Sequence, residues 1–525
     1  MSAFSISTHF LNPSSLLVMY QFLFAADKKT RYILAGAVCI FLAWGLLLRF
    51  FELDHQSYWM DESFSIALAD SIAHHGYPAP AGDTGSFLLN LKDSLGLRGF
   101  LYHYLLAAAT LLFGKGEYVT RGLSAFLGVL GVGLFGRISY VWFDRRTSLL
   151  TMLFTTINYW QIAWSRQARD YMLLTCLFWL SLFCIERAVT LREKRFFLIA
   201  VCTALLTMAV NPLSLLLIPA ALILLLIEQN VRSRARFFFA FLVATIILSA
   251  AFLFTFLVKK YFGSGPSYLD HYTTFLLQKY WPILLSAPLV FLPDKEIKRK
   301  NQILIWLFLV FSLGLFVISN GIILLAYRYI FFLTPILLIF AAQGISRLCQ
   351  MNMLVATIAL IALLTTQVLL DQAVILPKAH YALESDAKNS PFLYKCYTPQ
   401  PRFKDAYTYI NRLEHINLIT PYPSISRLYR KDNDILAIPI RIKNYPRMPD
   451  RQRERYTSIP YITFPAFTFL RKSSYEVYFL LDFFAQTRMD PLLYRLIKDN
   501  CTVIKVWKQP EWSDLTLYKL DHRQD

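Results

Sequence analysis

The sequence predicts an α-helical polytopic membrane protein with about 11 transmembrane helices, surface helices in the first outer loop and a C-terminal soluble α/β domain. Three observations lead to that expectation. The chain has 525 residues, 56% hydrophobic and only 17% charged, whereas soluble domains are about half apolar and roughly a quarter charged. The excess is gathered into apolar runs that recur from Tyr32 to Leu370, and a bilayer core needs about 20 such residues per helix. The formal net charge is +19, with the cations mainly in short segments between the runs, as the positive-inside rule requires. That placement argues against nucleic-acid binding as the reason for the charge.

Residues 1–31 form an N-terminal segment. Phe10–Phe24 is moderately apolar but contains Asn12, Pro13 and Gln21 and lacks a basic leader. It reads as an interfacial helix, and the first span then serves as an uncleaved signal anchor. Residues 32–372 form the transmembrane unit. Spans are expected at 32–50, 119–142, 147–164, 171–188, 195–210, 213–228, 236–258, 279–293, 302–319, 323–343 and 352–370. Placing Lys28, Lys29 and Arg31 in the cytoplasm puts most later basic clusters there too: Arg145/Arg146, Arg192/Lys194/Arg195, Arg232/Arg234/Arg236, Lys298/Arg299/Lys300 and Arg347.

The opposite side then receives the outer loop 51–118, the turn Ser165–Asp170, the loop Lys259–Gln278 and the whole of 373–525. Within the outer loop, Glu62–Ala73 alternates as a helix does. Phe100–Phe113 is apolar but short, and it reads as a helix along the outer membrane surface. Counting it as a span would carry the later basic clusters outside.

Residues 373–525 read as an extracytoplasmic α/β domain, and about 150 residues suffice for an independent core. Lys404–Glu414 has helical periodicity; Asp434–Ile442, Tyr475–Phe483, Thr502–Trp507 and Leu515–Leu520 read as strands. Of seven cysteines, only Cys396 and Cys501 fall in this domain. An oxidising compartment would let them pair, and the alternative is two buried thiols.

Ionisable residues beside a membrane cavity are functional candidates because their burial is costly. Four groups collect on the outer side. Asp61-Glu62 follows the first span; adjacent carboxylates on a helix diverge, so one points to the cavity, and the alternative is that Asp61 caps a helix. Arg166, Arg169 and Asp170 occupy one turn, where arginine forks suit phosphate and an internal salt bridge is the plainer role. Arg98, with Tyr102 and His103, opens the surface helix and could equally anchor lipid headgroups. Arg328 lies inside the outer end of a span, where it has a partner or ligand or else snorkels. No HExxH, CxxC pair or P-loop is present. The adjacent pair His74-His75 suits metal poorly, so no metal site and no cofactor are expected.

The order of these residues resembles a known family. One span is followed by Asp61-Glu62, Arg98, the surface helix Leu101–Leu112, Leu112-Phe113-Gly114 and Arg121. Then come Ser165-Arg166-Gln167-Ala168-Arg169-Asp170 and, later, Arg328-Tyr329 with Pro335. Residues 30–370 resemble the membrane glycosyltransferases of the C superfamily, in the protein O-mannosyltransferase and aminoarabinose-transferase branch. The resemblance implies a polyprenyl-phosphate sugar donor and inversion at the anomeric carbon. It implies that Asp61 is similar to an acid near the acceptor and Asp170 to a second acid at the third span. Arg98 stands where the aminoarabinose branch has a lysine near the lipid phosphate. Many members carry Pro-Pro or Lys-Pro where this chain has Arg98-Gly99.

The expected function is therefore an inverting transfer of a sugar from a polyprenyl-phosphate donor to an acceptor hydroxyl or amine. The acceptor is a lipid, glycan or protein at the outer face of a bacterial inner membrane, and no nucleic acid is involved. Asp61, Glu62 and Asp170 are the catalytic candidates; Arg98, Arg166, Arg169, Arg328, Tyr102 and His103 are the substrate- and phosphate-binding candidates. The rivals are a flippase or transporter for a lipid-linked substrate and a catalytically inactive membrane scaffold. Transporters often show inverted repeats and broken mid-membrane helices, and neither is evident here.

Overall fold

The computed structural model describes residues 28–78, 99–227, 268–286, 297–321, 327–364, 377, 379, 401–430, 435–438, 470, 475–482, 485–486, 489–508 and 514–521. Helix α1 (Lys28–Phe50) is followed by α2 (Met60–His75), α3 (Phe100–Phe113), α4 (Glu117–Trp142), α5 (Arg145–Ile157) and α6 (Tyr159–Ser165). Then come α7 (Tyr171–Leu191), α8 (Lys194–Val210) and α9 (Leu217–Ile227), the last preceded by a 3-10 turn at Pro212–Leu216. Next are α10 (Leu269–Ser286), α11 (Ile297–Gly321), a 3-10 segment at Tyr327–Leu333, α12 (Thr334–Met351) and α13 (Met353–Leu364).

Among the described residues, five helical stretches are long and apolar enough to cross a membrane: Tyr32–Phe50, Glu117–Trp142, Tyr171–Leu191, Arg299–Ser319 and Tyr327–Met351. Of the remaining expected spans, 195–210 is helical as α8, two differ for identifiable reasons and the rest reach outside the described residues. The run 147–164 is two helices, because Asn158 leaves helical geometry (ψ 119°) and its side chain accepts the Gln161 N–H at 3.0 Å. An asparagine offering that bond competes with the helix ladder and starts a new helix. The run 213–228 begins as a 3-10 turn behind Pro212. The span at 236–258 lies outside the described residues, as do the ends of those at 279–293 and 352–370.

The expected loop Lys259–Gln278 is helical from Leu269 onward. Its Tyr272, Phe275, Leu276 and Tyr280 are buried, a 3.6-residue stripe that needs a partner surface. The surface helix matches its expected bounds: the first half of α3 buries Tyr102, His103, Leu106 and Ala107, while Leu111, Leu112 and Phe113 are exposed.

Glycines let α4 approach its neighbours. A Cβ on Gly128 would stand 2.6 Å from Ser165 Cβ and 2.8 Å from Arg49 Nε. Close approach through small residues is how membrane helices gain van der Waals contact. The buried Arg49 ends α1 against α5, donating to the carbonyls of Gly45, Thr156 and Thr155 at 3.2, 3.4 and 3.1 Å.

The C-terminal elements are α14 (Phe403–Ile410), β1 (Ile416–Thr420), α15 (Pro423–Tyr429), β2 (Ile435–Ala437), β3 (Glu476–Asp482), α16 (Pro491–Asn500), β4 (Cys501–Trp507) and β5 (Leu515–Leu520). The strands form one mixed sheet in the order β2-β1-β3-β5-β4. Strand β1 pairs in parallel with β2 and β3, and β5 runs antiparallel to β3 and β4. Sequence reading missed β1, a five-residue run, Ile-Asn-Leu-Ile-Thr, with little polar alternation. Cys501 opens β4, whereas Cys396 lies outside the described residues, and the pairing expectation with it.

Candidate active site

Helix α2 starts after the extended Trp59, so Asp61 and Glu62 both sit in its first turn. Their side chains diverge into different surroundings. Glu62 is 1% exposed. Its carboxylate accepts from Arg121 Nε at 2.8 Å, Arg121 NH2 at 2.7 Å, the Ala168 N–H at 2.9 Å and the Trp59 N–H at 3.4 Å. Arg121 spends its remaining donors on the carbonyls of Leu53, Gln56 and Ser57 at 3.1, 2.6 and 3.0 Å. The bidentate pair is thus a closed knot that fixes the segment before α2.

Asp61 faces the other way. Its carboxylate lies 3.0 Å from Arg328 NH1 and 3.7 Å from Arg169 NH2. Arg169 also donates to the Asp61 carbonyl at 3.0 Å and to Ser65 Oγ at 2.8 Å. The Asp61 side chain is 13% exposed, against 1% for Glu62, so it has access that Glu62 lacks. The Arg328 guanidinium stands 5.7 Å over the Trp59 ring and 5.5 Å over the Tyr329 ring. Arg328 lies in the 3-10 segment that leads into α12. Burial alone would lower the Arg169 guanidinium, but Asp61 and then Asp170 outweigh it and hold the group above its ordinary value. Arg169 is therefore permanently charged.

Asp170 begins α7 and accepts from Asn211 Nδ2 at 2.9 Å. Gly99, at φ +88°, closes over it: a Cβ there would stand 3.5 Å from Asp170 Cβ and 3.1 Å from His103 Cε1. Burial, helped by Arg169, pushes His103 down to about 3. Burial thus favours the neutral imidazole. Tyr102 is buried and bonds Ser124 Oγ at 2.9 Å; that hydroxyl in turn donates to the Arg169 carbonyl at 3.1 Å. Tyr102 thus supports the Arg169 turn from below.

Arg166 caps the end of α1. It donates to the carbonyls of Leu48, Arg49, Phe51, Glu52 and Ala379 at 2.7–3.3 Å; those of Leu48 and Arg49 are among the groups that a helix C-terminus leaves open. Arg98 lies outside the described residues. The structure therefore brings Asp61, Arg169 and Arg328 into one ion cluster, with Asp170 next to Arg169. Arg166, Glu62 and Tyr102 serve its frame. Sequence reading missed Asn211, whose signal was the Asn211-Pro212 turn, and Trp59, two positions before Asp61. Among the described residues no group of three or more His, Cys, Asp or Glu could hold a metal.

The fold carrying this cluster is known in solved structures. ArnT from Cupriavidus metallidurans in the apo state superposes with a TM-score of 0.56 at 14% identity, over 92% of this chain and 98% of that one. The same enzyme bound to undecaprenyl phosphate gives 0.55 at 13% identity, with the same coverage. The apo oligosaccharyltransferase of Archaeoglobus fulgidus gives 0.51 at 12% identity, over 94% of this chain and 75% of that one. The chain has the fold of the C-superfamily membrane glycosyltransferases. The family model for dolichyl-phosphate-mannose-protein mannosyltransferase matches residues 98–255, which include α3, the Ser165–Asp170 turn and Asn211. No curated protein sequence matches the chain. In this C-superfamily fold the Asp61 cluster gathers residues from three separate places in the chain: the start of α2, the α6–α7 turn and the 3-10 entry to α12.

Proposed function

We propose that the protein is an inverting glycosyltransferase that moves a sugar from a polyprenyl-phosphate donor to an acceptor hydroxyl or amine. The observation that carries this reading is the Asp61 carboxylate held at 3.0 Å by Arg328 and 3.7 Å by Arg169. A guanidinium fork that binds a carboxylate also fits a phosphate. When the donor phosphate takes over Arg328 and Arg169, Asp61 is released to act as a base. It then accepts the proton of the acceptor group, whose oxygen or nitrogen bonds to the anomeric carbon. The bond from that carbon to the phosphate oxygen breaks, and the lipid phosphate leaves with the electron pair, stabilised by the two arginines. The leaving anion needs no general acid. Asp170, with Asn211, lies beside this path and meets the sugar or acceptor. Arg98 is assigned to the donor phosphate.

The likeness in fold to an ArnT bound to undecaprenyl phosphate supports a polyprenyl-phosphate donor. The basic clusters support a site and a C-terminal domain (373–525) on the extracytoplasmic side of a bacterial inner membrane. Asp61→Asn keeps the side chain's shape and removes the base. Transfer should fall by about 10²–10⁴-fold, while undecaprenyl phosphate binding survives. Arg328→Ala should weaken that binding as well as turnover. Near-normal turnover by Asp61→Asn would remove Asp61 from the mechanism.

A further inference from the structure

One turn of α4 is a meeting point for two parts of the molecule. Arg121 holds the carbonyls of Leu53, Gln56 and Ser57. Thr120 Oγ1 meets the Tyr58 hydroxyl at 2.7 Å. The C-terminal domain grips the same segment. Tyr429, at the end of α15, uses its hydroxyl twice: it accepts the Tyr58 N–H at 2.9 Å and donates to the Glu117 carboxylate. Lys404 of α14 reaches that carboxylate at 2.6 Å and the Asp54 carbonyl at 2.9 Å, and its own N–H donates to Ser57 Oγ at 3.0 Å. Ser424 and Ser63 share a hydrogen bond at 2.8 Å. Met60, the residue before Asp61, packs against the C-terminal core of Phe403, Tyr407 and Leu480.

Residues 51–59 form no helix or strand, so this stretch has no ladder of its own to fix it. Arg166 holds its first carbonyls and Glu62 its last N–H, and between them it is tethered by Arg121, Tyr429 and Lys404. Burial first, and then Glu117, pushes the Tyr429 hydroxyl well above its ordinary value, so it stays protonated and keeps donating across the physiological range.

We propose that the C-terminal domain fixes Asp61 in place through Tyr429 and Lys404, which makes these two positioning residues for transfer. The inference rests on the reading of Asp61 as the base. A base displaced by about 1 Å can lose roughly 10² in rate, so the domain is required for turnover without touching substrate.

The test uses the full chain in lipid nanodiscs and three readouts: amide hydrogen exchange over 54–66, the Kd for undecaprenyl phosphate, and turnover. Turnover is followed as undecaprenyl phosphate released from undecaprenyl-phosphate sugars with membrane extract as acceptor source. In the pair Lys404→Met with Tyr429→Phe, exchange over 54–66 should quicken and turnover should fall about 10–100-fold. The Kd should stay within about 3-fold, because the phosphate contacts are elsewhere. Lys404→Arg should restore most turnover, and Thr502→Val, remote in the same domain, should leave all three readouts unchanged. Tyr429→Phe alone keeps the ring stacked on Tyr407 and serves if the pair unfolds. Unchanged exchange would overturn the tether. Faster exchange with normal turnover, while Asp61→Asn is inactive, would overturn positioning and leave the base reading standing. Normal turnover by Asp61→Asn would remove the base reading, and positioning with it.

Discussion

Glu62→Gln separates the two neighbouring carboxylates. In the native protein four donors converge on Glu62: two from Arg121 at 2.8 and 2.7 Å and the N–H groups of Ala168 and Trp59 at 2.9 and 3.4 Å. A glutamine has the same shape but one acceptor oxygen, and its amide nitrogen would face at least one of these donors. The larger loss is charge. Arg121 is 2% exposed, and its remaining hydrogen-bond acceptors are neutral carbonyls, so its guanidinium would lose the carboxylate it is bonded to. Removing one member of a buried ion pair costs about 3–5 kcal/mol. Denaturation in detergent, followed by tryptophan fluorescence, should show a loss of that size, and turnover per folded molecule should stay within about tenfold of wild type. The reasoning is refuted if Glu62→Gln is as stable as wild type yet loses about 10²–10⁴ in transfer. That result would make Glu62 the base and Asp61 the frame.

Two further outcomes are expected. Burial raises Asp482 in β3 from its ordinary 3.8 to about 6. The folded state therefore holds the proton more tightly than the unfolded chain, and stability should fall by about 3 kcal/mol as pH rises from about 4 to 6 and then level off. Asp482→Asn should flatten that slope in melting curves taken across this range. Gly128→Ala should shorten the protein's half-life in warm detergent, since its Cβ meets Ser165 Cβ at 2.6 Å and overpacking costs about 1–3 kcal/mol. Gly36→Ala, with nothing within 4 Å, should be neutral or slightly stabilising, and equal loss in both would refute the packing account.

What the sequence could reveal follows from the range of the physics involved. Apolar run length and the lysine and arginine distribution are local quantities, and they identified α1, α4, α7 and α11 and the short surface helix α3. The break at Asn158 and the helical start of α10 at Leu269 depend on which competing hydrogen bond or buried face wins, and a run of apolar letters does not encode that. The site shows the same division. Asp61, Arg169 and Arg328 stood out because charge next to apolar runs is costly. Which of Asp61 and Glu62 faces the cluster depended on the helical phase of α2 against Arg121, a residue 59 positions from Glu62. Likewise, Arg166 and Arg169 occupy one turn and carry the same charge, yet one meets five backbone carbonyls and the other a carboxylate. Three residues of chain reverse the direction of a guanidinium, so residue type marks the turn as a site while only packing against α1 and α2 divides the roles within it. The same holds for Tyr429 and Lys404, which sequence reading did not single out. Their link to the Asp61 segment exists only once α14 and α15 dock on α2 and α4.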